Sequence, residues 1–380
     1  MTTAETHDVG KSRYIMVGGF LGAGKTTSIL QLAEWLTARG LRVGLITNDQ
    51  GGGLVDTALA AAHRMPVEEI VGGCFCCRFT SLVEAAESLA RETAPDVLIA
   101  EPVGSCTDLV ATVSLPLEQI YGERFVVAPM SVVVDPLRAE RVLGLAAARL
   151  SEHVAYIYRK QLEEAEIIVI NKCDLVDAAR RERLTAALAA VNPGATILEC
   201  SAREATGLDP WFAHLLADTS QASAIAEIDY DRYALGESLL GWLNAEVKIG
   251  TADADGDADF DGNELLVAIL SHIRGSLAAS GHEIAHLKGT LSIEGDPYEL
   301  AAANLVRTAD APVLSHRLAE PVDIGRLLVN LRAEADPADL EQALRAAVSA
   351  CAGSLPYDIL HLEHFRPGRP VPTHRIPSRA

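Results

Sequence analysis

Short, almost uninterrupted apolar runs alternate with stretches of helical spacing from Tyr14 to Leu198. The runs are Tyr14–Val17, Val43–Ile46, Val97–Ala100, Val132–Val134, Ile167–Ile170 and Thr196–Leu198. Strands buried on both faces of a parallel sheet read this way. Helical patterns such as Thr27–Arg39 and Thr80–Glu92 lie between them. The alternation predicts an α/β fold: a doubly wound, mainly parallel sheet that takes ligands beyond the carboxyl ends of its strands.

The pattern changes after Ala217. Ala217–Ala226 is small and polar and reads as a linker. Beyond it, Trp242–Ile249 and Glu283–Ile293 read as strands and Asn263–Ala279 as a helix, and both patterns continue to about Ala352. The expected division is a first domain over residues 1–222 and a smaller α+β domain over 229–380. Arg366 to Ala380 is Pro/Arg-rich and reads as extended. Thr251–Glu264 is acidic but completes the Ca²⁺-loop pattern in neither register, so it reads as a solvated loop.

A length of 380 residues suits two domains. The formal net charge of −20 excludes a general nucleic-acid binder, which needs a basic footprint. No charge-free apolar run of about 18 residues occurs, so no membrane span is expected. The opening MTTAETHDVGKSRY lacks the apolar stretch of a signal peptide, and a cytoplasmic protein is expected. Seven cysteines, three of them within positions 74–77, fit metal binding or reactive thiols better than a disulfide framework.

Gly19-Phe20-Leu21-Gly22-Ala23-Gly24-Lys25-Thr26 satisfies G-x-x-x-x-G-K-[ST] between an expected strand and an expected helix. Such a loop aims backbone N–H groups at phosphates, aided by the helix N-terminus. Lys25 is expected on the β/γ-phosphates and Thr26 on Mg²⁺. Gly19, Gly22, Ala23, Gly24 and Thr27 complete the expected phosphate cradle. Asn171-Lys172-Cys173-Asp174, after the strand Ile167–Ile170, resembles the N-K-x-D signature of GTPases. There the aspartate accepts hydrogen bonds from guanine's ring N–H and amino group. Ser201-Ala202 resembles the short loop that backs the guanine ring. Glu101-Pro102-Val103-Gly104 ends another strand, where an acid holds Mg²⁺ or positions the attacking water. Gly104 would offer the γ-phosphate a backbone N–H. Asp56 is taken as a further Mg²⁺ ligand, with Thr26 and Glu101.

These motifs, with Gly73-Cys74-Phe75-Cys76-Cys77, make the chain resemble the CobW-type metallochaperone GTPases, relatives of the urease and hydrogenase nickel-insertion GTPases. The resemblance covers roughly residues 13–215 and rests on GGFLGAGKTT, the E-x-x-G loop, NKCD and the G-C-x-C-C motif; Val132–Pro136 also fits. In the second domain it thins to His286-Leu287-Lys288-Gly289. The family often reads N-E-F-G-E-x-G-x-D where this chain has Asn48-Asp49-Gln50-Gly51-Gly52-Gly53-Leu54-Val55-Asp56. Asp49 and Gly52 replace glutamates, and the family's His-rich tract is missing, as in a divergent branch.

Cys74, Cys76 and Cys77 offer closely spaced thiolates for a soft or borderline divalent metal, Zn²⁺ or Co²⁺ foremost. Asp49 and Cys106 are candidates to complete the site. An incomplete site suits delivery, because it releases its metal. Cys173 and Cys200 read as core residues. His272, His282, His286, His316, His361 and His364 lack metal spacing.

The resemblance implies GTP and Mg²⁺ as cofactors and a low intrinsic rate of hydrolysis to GDP and phosphate. It implies delivery of a transition metal to a client metalloprotein, with room for a homodimer. Two alternatives stay open: a GTPase activator of a corrinoid-dependent enzyme, and a nucleotide-gated thiol redox module.

Overall fold

The computed structural model describes residues 11–52, 54–146, 151–221, 225, 227–250 and 259–377. The first sheet has eight strands: β1 (Ser12–Gly18), β2 (Val43–Asn48), β3 (Val67–Ile70), β4 (Val97–Glu101), β5 (Phe125–Val127), β6 (Ser131–Val134), β7 (Ile167–Ile170) and β8 (Thr196–Glu199). Their order is β3-β2-β4-β1-β6-β7-β8, with β5 paired to the start of β1 and β6 to its end. Every pairing in this sheet is parallel. The six expected strands all form, each within a residue or two of its expected ends. β3 and β5 lay outside the expectation. β3 reads VEEI and is an edge strand, so it needs no apolar run; β5 has three residues, too few to show a period.

Helices cover both faces. One buried cluster includes Phe75, Phe79, Leu82 and Tyr158; the other includes Leu32, Leu36, Trp211 and Phe212. β1 lies between β4 and β6, so the turn into the helix Lys25–Thr37 opens at a topological switch point. The helix Tyr230–Ser238 belongs to the residues expected in the second domain. It packs on the first domain's helix Glu152–Glu164, with Tyr233 in the first domain's core.

The second sheet has six antiparallel strands: β9 (Gly241–Ile249), β10 (Glu283–Ile293), β11 (Asp296–Leu305), β12 (Val313–His316), β13 (Gly325–Glu334) and β14 (Tyr357–Phe365), in the order β12-β11-β10-β13-β9-β14. β14 extends regular structure past Ala352, where the sequence pattern faded. Helices Gly262–Ala279 and Pro337–Ala352 cover one face, burying Leu243, Val247, Leu287, Val329 and Leu331 against Ile269, Ile273 and Leu344. Strand residues alternate sides, so Trp242, Asn244, Lys288, Asn330 and Arg332 project from the other face, toward the first domain.

No helix among the described residues is long and apolar enough to cross a membrane. Thr251 to Ala258, most of the acidic stretch, and part of the Ala217–Ala226 stretch lie outside the described residues, as does Gly53.

Candidate functional site

The loop from Gly19 to Gly24 curls over the carboxyl end of β1 and feeds the helix Lys25–Thr37. Gly24 has φ +95°, and a Cβ there would sit 2.4 Å from the Asn171 side chain. Only glycine fits both demands. Gly104 meets the same loop from β4's side: a Cβ on it would lie 3.0 Å from the Leu21 nitrogen. The E-x-x-G segment is thereby pressed onto the phosphate loop.

Four side chains meet beneath the loop. Thr26 Oγ1 is 2.7 Å from Asp56 Oδ1 and 3.1 Å from Glu101 Oε1. Lys25 Nζ lies 3.9 Å from Glu101 Oε1, and its side chain is buried. Burial pushes the Glu101 carboxyl up to about 7, with Asp56 adding to the rise and Lys25 and Lys288 opposing it. Burial pushes Asp56 upward too, but Lys288, Thr26 and Lys25 outweigh it and hold this carboxyl below its ordinary value. Burial lowers the Lys25 ammonium. The three oxygen donors expected on Mg²⁺, from Thr26, Asp56 and Glu101, do converge, and hard oxygen donors are what that ion takes.

The N-K-x-D loop is tied to the phosphate loop. Asn171 Nδ2 donates to Ala23 O at 3.0 Å, while its Oδ1 accepts from Ala202 N at 2.9 Å. Lys172, at φ +55°, donates to Gly22 O at 2.7 Å and to Asp135 Oδ2 at 2.9 Å. Asp174 stands exposed at the end of this loop, and Ser201 and Ala202 lie beside it. Thr27 is exposed at the start of the helix. The phosphate loop, the N-K-x-D loop and Ala202 are thus hydrogen-bonded together at the sheet's carboxyl end.

Among the described residues, Cys74, Cys76 and Cys77 bring their sulfurs within 4.8 Å of one another. Cys74 Sγ is 2.8 Å from Cys76 Sγ and 3.3 Å from Cys77 Sγ. Cys106, from the end of the E-x-x-G segment, is fully buried next to this loop and influences the Cys74 thiol. Hydrogen bonds from Cys106, Cys76 and Cys77 hold the Cys74 thiol well below its ordinary range, whereas Cys76 and Cys106 are raised and Cys77 is pushed up to about 11. Cys74 is thus the most acidic of the clustered thiols, a set a divalent cation can enter by displacing protons. Asp49 is elsewhere: it pairs with Arg332 at 2.7 Å on the nucleotide side. The two places are joined by Asn48, at the end of β2, whose Nδ2 donates to Gly73 O at 2.8 Å. Ser105, next to Cys106, donates at 2.6 Å to Glu237, whose carboxyl is pushed up to about 8 by burial. Cys200 is buried and Cys173 is half-buried.

The described part of the Pro/Arg-rich terminus lies across the cysteine loop. Thr373 N donates to Cys76 O at 2.8 Å, Val371 N to Cys77 Sγ at 3.2 Å, and Arg375 pairs with Asp108 at 2.7 Å.

Residues 13–199 match the family model for the nucleotide-binding domain of CobW/HypB/UreG. The domain they form belongs to that family. A zinc chaperone CobW from a Sinorhizobium species is 32% identical over 205 residues, covering 47% of this chain and 55% of that protein. A zinc chaperone CobW from Pseudomonas aeruginosa is 25% identical over 358 residues, 88% of this chain and 91% of that one. The chain thus spans about half the length of the first curated relatives it matches, and nearly all of this third one. The solved structure of HypB from Helicobacter pylori in complex with nickel is more remote: 19% identity, a TM-score of 0.41, and coverage of 55% of this chain and 86% of that one.

The CobW-type domain accounts for only part of the pocket. Its far wall is the second sheet, with Trp242, His286, Lys288, Asn330 and Arg332 facing Lys25, Asp49, Asp56 and Glu101. Sequence reading met Lys288 only through a resemblance, set His286 aside among the histidines that lack metal spacing, and passed over Asn330 and Arg332. Their signal was available: they are polar residues at alternate positions of otherwise apolar strands.

Proposed function

We propose that this protein is a GTPase that couples Mg²⁺·GTP binding and slow hydrolysis to the loading and handover of a soft divalent cation, Zn²⁺ or Co²⁺, to a client protein. The observation that carries this reading is the convergence of Cys74, Cys76 and Cys77 within 4.8 Å, in the same domain as a complete phosphate loop. The zinc-chaperone names of the relatives point the same way.

The residues divide the work as follows. Backbone N–H groups of the phosphate loop and the Lys25 ammonium bind the β/γ-phosphates. Asp174 accepts the two guanine donors, which adenine cannot present. Thr26, Asp56 and Glu101 would hold Mg²⁺, which supplies neutralisation of phosphate charge. Glu101 orients the attacking water, and the Gly104 N–H faces the γ-phosphate. Ser105 and Cys106 follow Gly104 directly, so a change at the γ-phosphate would be carried along this segment toward the cysteine loop. Asn48 provides the second link, from the end of β2 to the cysteine loop.

The test is metal titration against a chromogenic chelator, with Mg²⁺ and either GDP or a non-hydrolysable GTP analogue. Metal affinity should differ between the two states by about 5–150-fold, the usual range of coupling between sites. Replacing Cys74, Cys76 and Cys77 together by serine should abolish metal binding and spare nucleotide binding. Equal affinity in both states, or undiminished binding by the triple variant, refutes the coupling. Thiols that oxidise reversibly with nucleotide state and bind no metal would instead support a redox module. Metal binding only in the presence of a corrinoid enzyme would support an activator of that enzyme.

A further inference from the structure

A row of polar side chains crosses the second sheet at one level: Asn304, Lys288, Asn330, Asn244 and Glu363 are cross-strand partners in turn. Three of them are hydrogen-bonded in sequence. Asn330 Nδ2 donates to Asn244 Oδ1 at 3.1 Å, and Asn244 Nδ2 to Glu363 Oε1 at 3.0 Å. The row also grips the first domain between Asp49 and Asp56. Gly52 N donates to Glu363 Oε1 at 2.9 Å, and Val55 N to Asn330 Oδ1 at 2.9 Å. Asn330 thus caps the helix Val55–Ala62, whose own N-cap, Leu54, has no side-chain acceptor to offer. Arg332 reaches Asp49 from the next level of the sheet.

Lys288 places a charge in this grip. Its ammonium donates to Asp56 Oδ1 and lies 3.4 Å from Thr26 Oγ1. These are two of the three oxygens assigned above to Mg²⁺, and the third, on Glu101, is within 3.1 Å of the same hydroxyl. Mg²⁺ holds its oxygen ligands at about 2.0–2.1 Å in near-octahedral geometry. An ion bound to Thr26 Oγ1 and Asp56 Oδ1 would share both oxygens with an ammonium already bonded to them. Two cations so close in a partly buried pocket repel strongly. Lys288 and Mg²⁺ are therefore alternative occupants.

We propose that Lys288 is a tethered cation that fills the magnesium position while the second sheet is docked on residues 49–56, so that Mg²⁺ loads only by displacing it. This rests on the reading of Thr26, Asp56 and Glu101 as the Mg²⁺ ligands. Lys288 shares its row with Asn330 and Glu363, so losing its ion pair weakens the grip on the amides of Gly52 and Val55. By linkage, whatever stabilises docking weakens Mg²⁺, and Mg²⁺ loosens docking by the same factor. The second domain then senses metal–nucleotide loading without touching the base.

The experiment uses the full chain with bound GDP and Mn²⁺ in place of Mg²⁺, free Mn²⁺ being read by electron paramagnetic resonance. Lys288→Met should bind Mn²⁺ about 5–150-fold more tightly than the parent, whereas Lys288→Arg should stay near it. Equal or weaker Mn²⁺ binding by Lys288→Met overturns the proposal; the weaker result would place Lys288 on the nucleotide phosphates instead. Hydrogen exchange on the unmodified protein gives a second reading that needs no variant. Mn²⁺ loading should speed exchange at Gly52 and Val55, and unchanged or slower exchange overturns the proposal as well. If GDP binds but none of the three proteins takes up Mn²⁺, the magnesium-ligand assignment falls with it. If all three bind Mn²⁺ equally, only the role of Lys288 falls.

Discussion

The pocket has two walls built on opposite plans. On the first domain, Gly19 to Thr27 is one continuous loop and helix start, and Asn171, Lys172 and Asp174 lie along a second short stretch. On the second domain the corresponding groups are spread over four strands, β9, β10, β13 and β14, brought level by antiparallel register. A phosphate cradle needs successive backbone N–H groups, so its chemistry is contiguous in sequence. The gripping wall needs side chains on one sheet face, so its chemistry is spaced by the register between strands. The first wall binds by local geometry and tolerates little change in sequence order. The second holds only while the sheet is assembled, and so it can be released as a unit.

Separate damage to the two walls should give different failures. The largest effect is expected from Arg332→Met. Burial lowers the Arg332 guanidinium and raises the Asp49 carboxyl even though they pair, so the pair is costly to form and worse to break. Leaving Asp49 unpaired should cost about 3–5 kcal/mol of stability, and adding Asp49→Asn should restore much of it. Urea denaturation of both variants checks this; an unchanged midpoint in Arg332→Met would show that the two walls are not docked as described. Next, Lys25→Ala should weaken nucleotide binding by about 100-fold or more, through loss of charge-assisted hydrogen bonds to phosphate. The melting temperature should hold, and a fluorescent GTP analogue reads the affinity. Asp174→Asn should relax GTP-over-ATP preference by about 1–3 kcal/mol, read by competition binding. A parent protein that binds ATP as well as GTP would remove the basis for this assignment. The smallest effect is expected from Asn330→Ala, which strips the borrowed cap from the helix Val55–Ala62. It should cost about 1 kcal/mol and leave GTP affinity almost unaltered. If nucleotide affinity falls as far as in Lys25→Ala, the walls do not act separately.

The cysteine loop lies between these extremes. Its three sulfurs are within four positions in sequence, and they converge because the chain turns tightly there, with Cys77 N and Arg78 N both bonded to Cys74 O. The fourth thiol, Cys106, arrives from the end of the E-x-x-G segment, and the covering strap from the far end of the described chain. Asp49, placed by sequence among the possible metal ligands, is instead taken up by Arg332, more than 280 positions away. No spacing rule connects those two residues.

The sequence by itself determined the parallel sheet, the phosphate loop in its strand–helix setting, the N-K-x-D loop and the three clustered thiols. Each of these depends on neighbours within a few residues or on a period of apolar positions, and such features survive in a one-dimensional pattern. Tertiary structure alone decided that Lys288 faces Asp56, that Arg332 claims Asp49, and that Asn330 caps a helix of the other domain. Those contacts depend on strand register and on how one sheet face meets the first domain. A shift of one residue in register would turn Lys288, Asn330 and Arg332 into the helix-covered core. What holds the register is the alternation of leucines and valines on the opposite face, so the polar wall is placed by the burial of residues that never touch it.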